Sequence, residues 1–214
     1  MQTIKAAVCR EFGAPLVIED VLLADPRMGE VEVTLEAVAI CHSDISYAEG
    51  AWGGHLPAVY GHEAAGVITK LGAGVAGFTE GDSVVVTLIR TCGNCPSCAG
   101  GKPTTCETPY DTVNGPLKAA DGSPLQQAMA CGAFAEKVVV DQRQIVKIPE
   151  TIAKDVASLV SCGVITGVGA VVNAAQLRAG QDVVVIGAGG VGLNAIQGAR
   201  IAGARRIVAV DMSE

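Results

Sequence analysis

Apolar and polar residues alternate along "LVIEDVLL" and "EVEVTLEAVAI", the period-two pattern of strands that bury one face. A shorter strand, "TIKAAV", precedes them, and Gly13, Pro15 and the run "ADPRMGE" supply the turns between. "AAGVITKLGAGV" and "GDSVVVTLI" predict two more strands around a glycine-rich bend, and "AFAEKVVVD" and "QIVKIP" a last pair. Between these groups, "NGPLKAADGSPLQQ" is polar and turn-rich and reads as loop. Up to about residue 150 the pattern therefore describes an all-β domain with long inserts.

The period changes after Pro149. "TIAKDVASLV" has helical spacing with Thr151 as N-cap, and a second helix runs on to Leu177. Residues 156–177 form 22 positions without a charge, long enough to cross a bilayer. Their glycines, hydroxyls and amides, and few bulky apolar side chains, instead suggest a buried globular segment and no membrane partner. "QDVVVIGAGGVGLNAIQGARIAGARRIVAVD" then reads as apolar strand, glycine-rich turn, helix, Gly203 as stop, and a second apolar strand. Unbroken apolar strands predict a parallel sheet buried on both faces.

With 214 residues the chain is long enough for one large or two smaller domains. Half of it is hydrophobic but only 3% aromatic, so Val, Ile, Leu and Ala must build the core. A net charge of −7, from 15 basic and 22 acidic residues, argues against nucleic acid, which wants a basic footprint. The opening "MQTIKAAVCREFG" carries Lys5, Arg10 and Glu11 and no apolar run of signal length, so a cytoplasmic location is expected. Eight cysteines in a reducing compartment point to metal or catalysis before disulfides.

Four of them lie close together in "CGNCPSCAGGKPTTC": Cys92, Cys95, Cys98 and Cys106. Four thiolates close a tetrahedron round zinc and leave no corner for substrate, so such a site is a structural brace. An iron–sulfur cluster or two disulfides are the alternatives. Cys41, His62 and Cys162 are scattered, and a single histidine or cysteine is more often core than ligand. Together they offer two thiolates and an imidazole, which leave zinc's fourth position open. A third constellation, Gly187-x-Gly189-x-x-Gly192, follows a predicted strand and opens a helix, with Gly190 and Val191 inside the turn. Asp211 ends the next strand, where a carboxylate accepts from ribose hydroxyls and repels a 2′-phosphate, favouring NAD over NADP.

"GHEAAGV", the four-cysteine lobe, "CGVITGVGA", "GAGGVG" and "AVD", in this order, resemble the zinc-containing medium-chain alcohol dehydrogenases from about Lys5 to the last residue. The resemblance implies a mixed fold: a GroES-like β-rich catalytic domain over 1–163, then the first βαβ unit of a Rossmann α/β domain over 164–214. It implies two zinc ions per chain, a catalytic one on Cys41, His62 and Cys162 and a structural one on the lobe. Glu63 then approaches the catalytic metal when water exchanges, Asp44 orients the ligand histidine, and Ser43 takes the alcohol proton. His42 lies near the NAD pyrophosphate, and Thr166 and Val191 line the coenzyme cleft. The implied reaction moves a hydride between a small-molecule alcohol, or its carbonyl, and NAD. A homo-oligomer is implied for a full-length form.

The chain also departs from the pattern. Ser46 stands where many members carry a relay histidine. Trp52 and Tyr110 stand where the branch acting on glutathione adducts carries an acid and a base, so that activity ranks low. Trp52 and Leu88 are expected to wall an apolar pocket, and Cys9, Cys131 and His55 to be structural. The family's coenzyme domain runs on beyond the position of Glu214, so a zinc-binding module without turnover is the rival expectation.

Overall fold

The computed structural model describes residues 1–111 and 114–212. The chain divides into two units, Met1–Ser158 and Leu159–Glu214; the sequence placed the division at 163/164.

In the first unit, β1 (Gln2–Cys9), β2 (Val17–Leu23) and β3 (Glu30–Ala39) precede a short helix, α1 (His42–Ala48). β4 (Ala58–Val59), β5 (Glu63–Leu71) and β6 (Ser83–Thr87) follow, then the helical turn α2 (Pro96–Ala99). β7 (Leu117–Ala119), β8 (Gln126–Gln127), β9 (Lys137–Asp141) and β10 (Ile145–Lys147) complete it. Among the described residues they form two five-stranded sheets, ordered β7-β2-β1-β4-β8 and β10-β6-β5-β3-β9. All pairings are antiparallel except β4 with β8. Alternation explains the cores: Ile4, Ala6 and Val8 of β1 pack on Val21, Leu23 and Val59, while Val31 and Val33 of β3 pack on Ala64, Ile68 and Val84. At Gly66 a side chain would stand 2.0 Å from the Thr34 carbonyl oxygen, so the tight β3–β5 contact requires glycine.

Several expectations need correction. The unit is not all-β, because α1 interrupts it directly after β3. The polar stretch read as loop contains β7 and β8, too short to show a period and held by their partners. Glu32, on the face of β3 read as polar and exposed, is 0% exposed. Its carboxylate is paired with Lys137 at 2.9 Å and accepts from Thr69 at 2.8 Å.

Helix α3 (Lys154–Leu159) starts three residues after the predicted cap Thr151, which lies in a turn. Two five-residue π-turns, Val160–Val164 and Ala170–Ala174, flank α4 (Ile165–Gly169). The helical stretch Lys154–Ala174 is long and apolar enough to cross a membrane by length and composition. Against the expectation of burial, only 28% of its most apolar window is buried. Later in the second unit, β11 (Asp182–Ile186), α5 (Gly190–Ile201) and β12 (Arg206–Val210) form a βαβ unit with parallel strands in register from Asp182↔Arg206 to Ile186↔Val210. Arg205 grips Asp182 through two hydrogen bonds of 2.8 and 2.7 Å at the start of that ladder. The parallel pairing is as predicted, but burial on both faces is not: Val184 is 63% and Ile186 84% exposed. Among the described residues the sheet has two strands, which cannot cover both of their own faces.

Candidate metal centres and coenzyme turn

The four-cysteine lobe follows β6. Its Sγ atoms all lie within 4.8 Å of one another, and Cys92–Cys98 and Cys95–Cys106 are each 3.9 Å apart. A tetrahedron with metal–sulfur bonds of about 2.3 Å has edges of about 3.8 Å, so the spacing fits one zinc ion. A disulfide needs about 2.05 Å, and the four cysteines of the lobe are free thiols. Sulfurs this close enclose a single ion and leave no room for several irons. The backbone turns its amides inward: Cys92 N–H donates to Cys106 Sγ at 3.3 Å and Cys95 N–H to Cys92 Sγ at 3.2 Å. The Thr108 hydroxyl and the Asn94 and Cys95 amides hold the Cys92 thiol down at about 5, while burial and the neighbouring thiols push Cys98 up to about 11. Gly93, at φ +80°, makes the tight turn between the first two cysteines.

A second group arises from strand register. β3 and β5 pair so that Ala39 faces Glu63, which brings Cys41, just past β3, beside His62, just before β5. The ligand atoms of Cys41, His62 and Glu63 lie within 4.8 Å of one another. His62 and Glu63 are 1% and 5% exposed, and Cys41 is half-buried. Asp44, 2% exposed, organises it. One carboxylate oxygen, Oδ1, accepts from Gly61 N–H and from His62 Nδ1, each at 3.0 Å. The other, Oδ2, accepts from Cys41 N–H at 3.0 Å and starts α1. A carboxylate facing Nδ1 assigns the proton to that nitrogen and leaves Nε2 as the lone-pair donor, the arrangement a metal-binding imidazole requires.

The neighbouring residues sort themselves on the same helix. The Cys41 thiol donates to Ser43 Oγ at 3.6 Å, His42 is exposed, and Ser46 is buried. Trp52 is 59% exposed and stands edge-on to Tyr47, with ring centroids 5.2 Å apart. Leu88 is partly exposed, and Tyr110 bonds Gln127 with Arg90 5.4 Å above its ring. Cys131 is fully buried, and burial pushes its thiol well above the ordinary range.

Sequence reasoning passed over Gln127, Gln144 and Arg143. Gln127 Nε2 donates to the Cys131 and Val139 carbonyls at 2.8 and 2.9 Å, and Gln144 Nε2 to those of Thr87 and Ala130 at 3.0 Å each. These buried amides hold the loop in which Met129 and Ala130 take left-handed backbone angles of +52° and +55°.

In the second unit, Cys162 sits half-buried in the first π-turn, and Thr166 is exposed on α4. Gly167 allows α4 to meet α5, since a Cβ there would lie 2.4 Å from the Val191 oxygen. Gly187 takes φ +94°, and a Cβ on Gly192 would lie 1.8 Å from the Gly187 oxygen, so neither position accepts a side chain. A Cβ on Gly189 or Gly190 would meet no atom within 4 Å, which leaves an open cradle at the N-terminus of α5. Asp211 Oδ2 accepts from Ala188 N–H at 2.5 Å and so closes the turn from the end of β12. This geometry fits a dinucleotide pyrophosphate laid on backbone amides.

Comparison with known proteins agrees with this geometry. The family model described as "Alcohol dehydrogenase GroES-like domain" matches residues 27–150. Over 220 residues the chain is 40% identical to alcohol dehydrogenase B of Mycobacterium tuberculosis, covering 98% of this chain and 58% of that protein. The alcohol dehydrogenase zinc-binding domain protein of Burkholderia ambifaria superposes with a TM-score of 0.93 at 37% identity, covering 99% of this chain and 59% of that one. Acetophenone reductase of Geotrichum candidum, solved in complex with NAD, superposes with a TM-score of 0.83 at 26% identity, covering 100% and 59%. The chain thus spans about 58% of the length of the curated relative it matches. A β-rich unit with these two thiolate-bearing clusters, matched by that family over more than half the chain, belongs to the alcohol dehydrogenase GroES-like domain family.

Proposed function

We propose that this protein is a zinc-dependent oxidoreductase that moves a hydride between a small-molecule alcohol, or the corresponding carbonyl, and NAD. The observation that carries this reading is the convergence of half-buried Cys41 with buried His62 and Glu63, with Asp44 behind the imidazole. Cys162, assigned from the family pattern, is the proposed third protein ligand. When bound, zinc supplies Lewis acidity towards the substrate oxygen and NAD accepts the hydride.

The chain's own residues do the rest. Asp44 holds the Nδ1 proton of His62, so Nε2 stays available and the ring cannot rotate. Glu63, buried at the head of β5, is a carboxylate able to take a ligand position during exchange. Ser43 Oγ, beside the Cys41 thiol, takes the proton of the alcohol hydroxyl. Ser46 cannot titrate as a histidine does, so the proton's onward route runs through water. His42 at the start of α1, with Thr166, Val191, the glycines 187, 189, 190 and 192, and Asp211, is assigned to NAD. Trp52 stacked edge-on to Tyr47 favours apolar alcohols over an anionic glutathione adduct. The same reading places the protein in the cytoplasm, where a reducing compartment keeps thiols available as metal ligands, as the free thiols of the four-cysteine lobe require.

The test is NADH formation by zinc-loaded protein with NAD and a panel of primary and secondary alcohols. Turnover abolished by Cys41→Ser or Cys162→Ser, with the four-cysteine centre still loaded, is the expected result. Full zinc loading without NADH would favour the rival, a zinc-binding module without turnover.

A further inference from the structure

The four-cysteine lobe has little apolar burial to hold it: α2 and the turn Pro103–Thr105 contain no buried residue. Its cysteines are half-buried, and its turns are built from Gly, Pro, Ser and Thr. Hydrogen bonds and a bound metal must then set its position. Within the lobe, Glu107 accepts from the Ser97 amide and hydroxyl at 3.1 and 2.6 Å. The tie from outside comes from Arg143, in the turn Gln142–Gln144 between β9 and β10. Its Nη1 donates to the Thr91 carbonyl at 3.1 Å and to the Cys92 carbonyl at 2.8 Å, 52 and 51 residues away in sequence. The guanidinium also covers the turn after Cys92, since a Cβ on Gly93 would lie 3.6 Å from Arg143 Cζ. Arg143 is itself held in place: its amide donates to Asp141 Oδ1 at 2.9 Å in a capping box with Gln144.

We infer that Arg143 is the positioning residue of the four-cysteine centre, clamping the backbone at its first ligand and laying a fixed positive charge beside it. Two physical effects act together. Fixing the carbonyls of residues 91 and 92 fixes the direction in which Cys92 projects its sulfur, and with it the Asn94 and Cys95 amides that donate to that sulfur. Four thiolates around one zinc ion also leave two net negative charges, which a cation that cannot lose its proton stabilises. A carbonyl-clamping arginine suits both tasks, because its planar head presents donors and charge at once.

This inference rests on the reading of the lobe as a zinc centre, and the experiment separates the two. Zinc-loaded protein is exposed to EDTA and iodoacetamide, and alkylation of each cysteine is followed in time by peptide mass spectrometry. Arg143→Ala is expected to speed labelling of Cys92, Cys95, Cys98 and Cys106 about 10-fold, the scale of losing a partner behind a metal ligand. Buried Cys9 and Cys131 report global unfolding and are expected to stay protected. Arg143→Lys, which restores charge and donors, is expected to recover part of the protection. Lobe cysteines that label at once in the wild-type chain before chelator is added would overturn the zinc reading itself. A zinc-protected lobe that Arg143→Ala leaves unchanged would overturn the role of Arg143 alone. So would a rise shared equally by Cys9 and Cys131, or lysine and alanine variants with identical rates. Should the alanine variant fail to fold, Arg143→Gln, which keeps an N–H donor without charge, is compared with Arg143→Lys instead.

Discussion

Replacing Asp44 by asparagine exchanges one carboxylate oxygen for an amide nitrogen and tests the geometry of the whole Cys41–His62 cluster. In the native chain three donors converge on the carboxylate: Gly61 N–H and His62 Nδ1 on Oδ1, and Cys41 N–H on Oδ2. An asparagine oxygen in the Oδ1 place keeps the first two, but its NH2 then meets the Cys41 N–H, donor against donor. The flipped amide loses two bonds instead of one. With Asp44 2% exposed, water cannot repair the mismatch. One stranded buried donor costs about 1–3 kcal/mol, and the two surviving bonds weaken because charge-assisted bonds are roughly twice as strong. A loss of about 2–4 kcal/mol is expected in urea unfolding of the metal-free chain, a large share of a typical 5–15 kcal/mol. Zinc competition should show the Cys41–His62 site weakened by about 10–100-fold while the four-cysteine centre keeps its affinity. A variant within about 0.5 kcal/mol of wild type, with both zinc affinities unchanged, would refute the assignment.

Three further outcomes follow from two other parts of the chain. Burial alone would raise the Glu32 carboxyl, but the Lys137 ammonium, the Thr69 hydroxyl and Lys70 outweigh it and hold it below the ordinary glutamate value. Its folded value is therefore the lower one: the stabilisation is present at neutral pH and fades as pH falls from about 4.5 through the folded value. Glu32→Gln should cost about 1–3 kcal/mol at pH 7 and flatten the acid limb of a stability–pH curve; an unaltered limb would exclude Glu32 as its source. In the coenzyme turn, Gly192→Ala drives a methyl into the Gly187 carbonyl and should abolish hydrogen-exchange protection in β11 and β12. Gly189→Ala meets no atom of the chain, so calorimetry should find folding intact and NAD affinity lower by roughly tenfold, about one hydrogen bond's worth. Equal NAD binding by wild type and Gly189→Ala would count against the cradle.

The strands of the first unit were legible wherever a segment was long enough to show its period. β1, β3 and β5 are 8, 10 and 9 residues long; β1 buries alternate positions, whereas β3 buries residues 31–33 and β5 residues 63–66 without a break. β7 and β8, of 3 and 2 residues, are too short for a pattern, and only their partners make them strands. Helix α1 escaped notice because seven residues, "HSDISYA", carry no apolar stripe, and the Asp44 side chain starts it. Glu32 read as solvent-facing because a sequence does not show that two lysines and a threonine will meet it.

The lobe and the glycine turn could be read from the sequence by itself, because their groups lie within a few residues of each other and spacing alone limits what they can hold. The same locality made the β11–α5–β12 order plain. Only the tertiary structure decided that Ala39 would face Glu63, and hence that Cys41 would meet buried Asp44 and His62 in one cluster. It alone set Arg143 against carbonyls more than fifty positions earlier in the chain. Both are products of strand pairing, whose register is set by the sum of many side-chain contacts across two sheets, and no local stretch contains that sum.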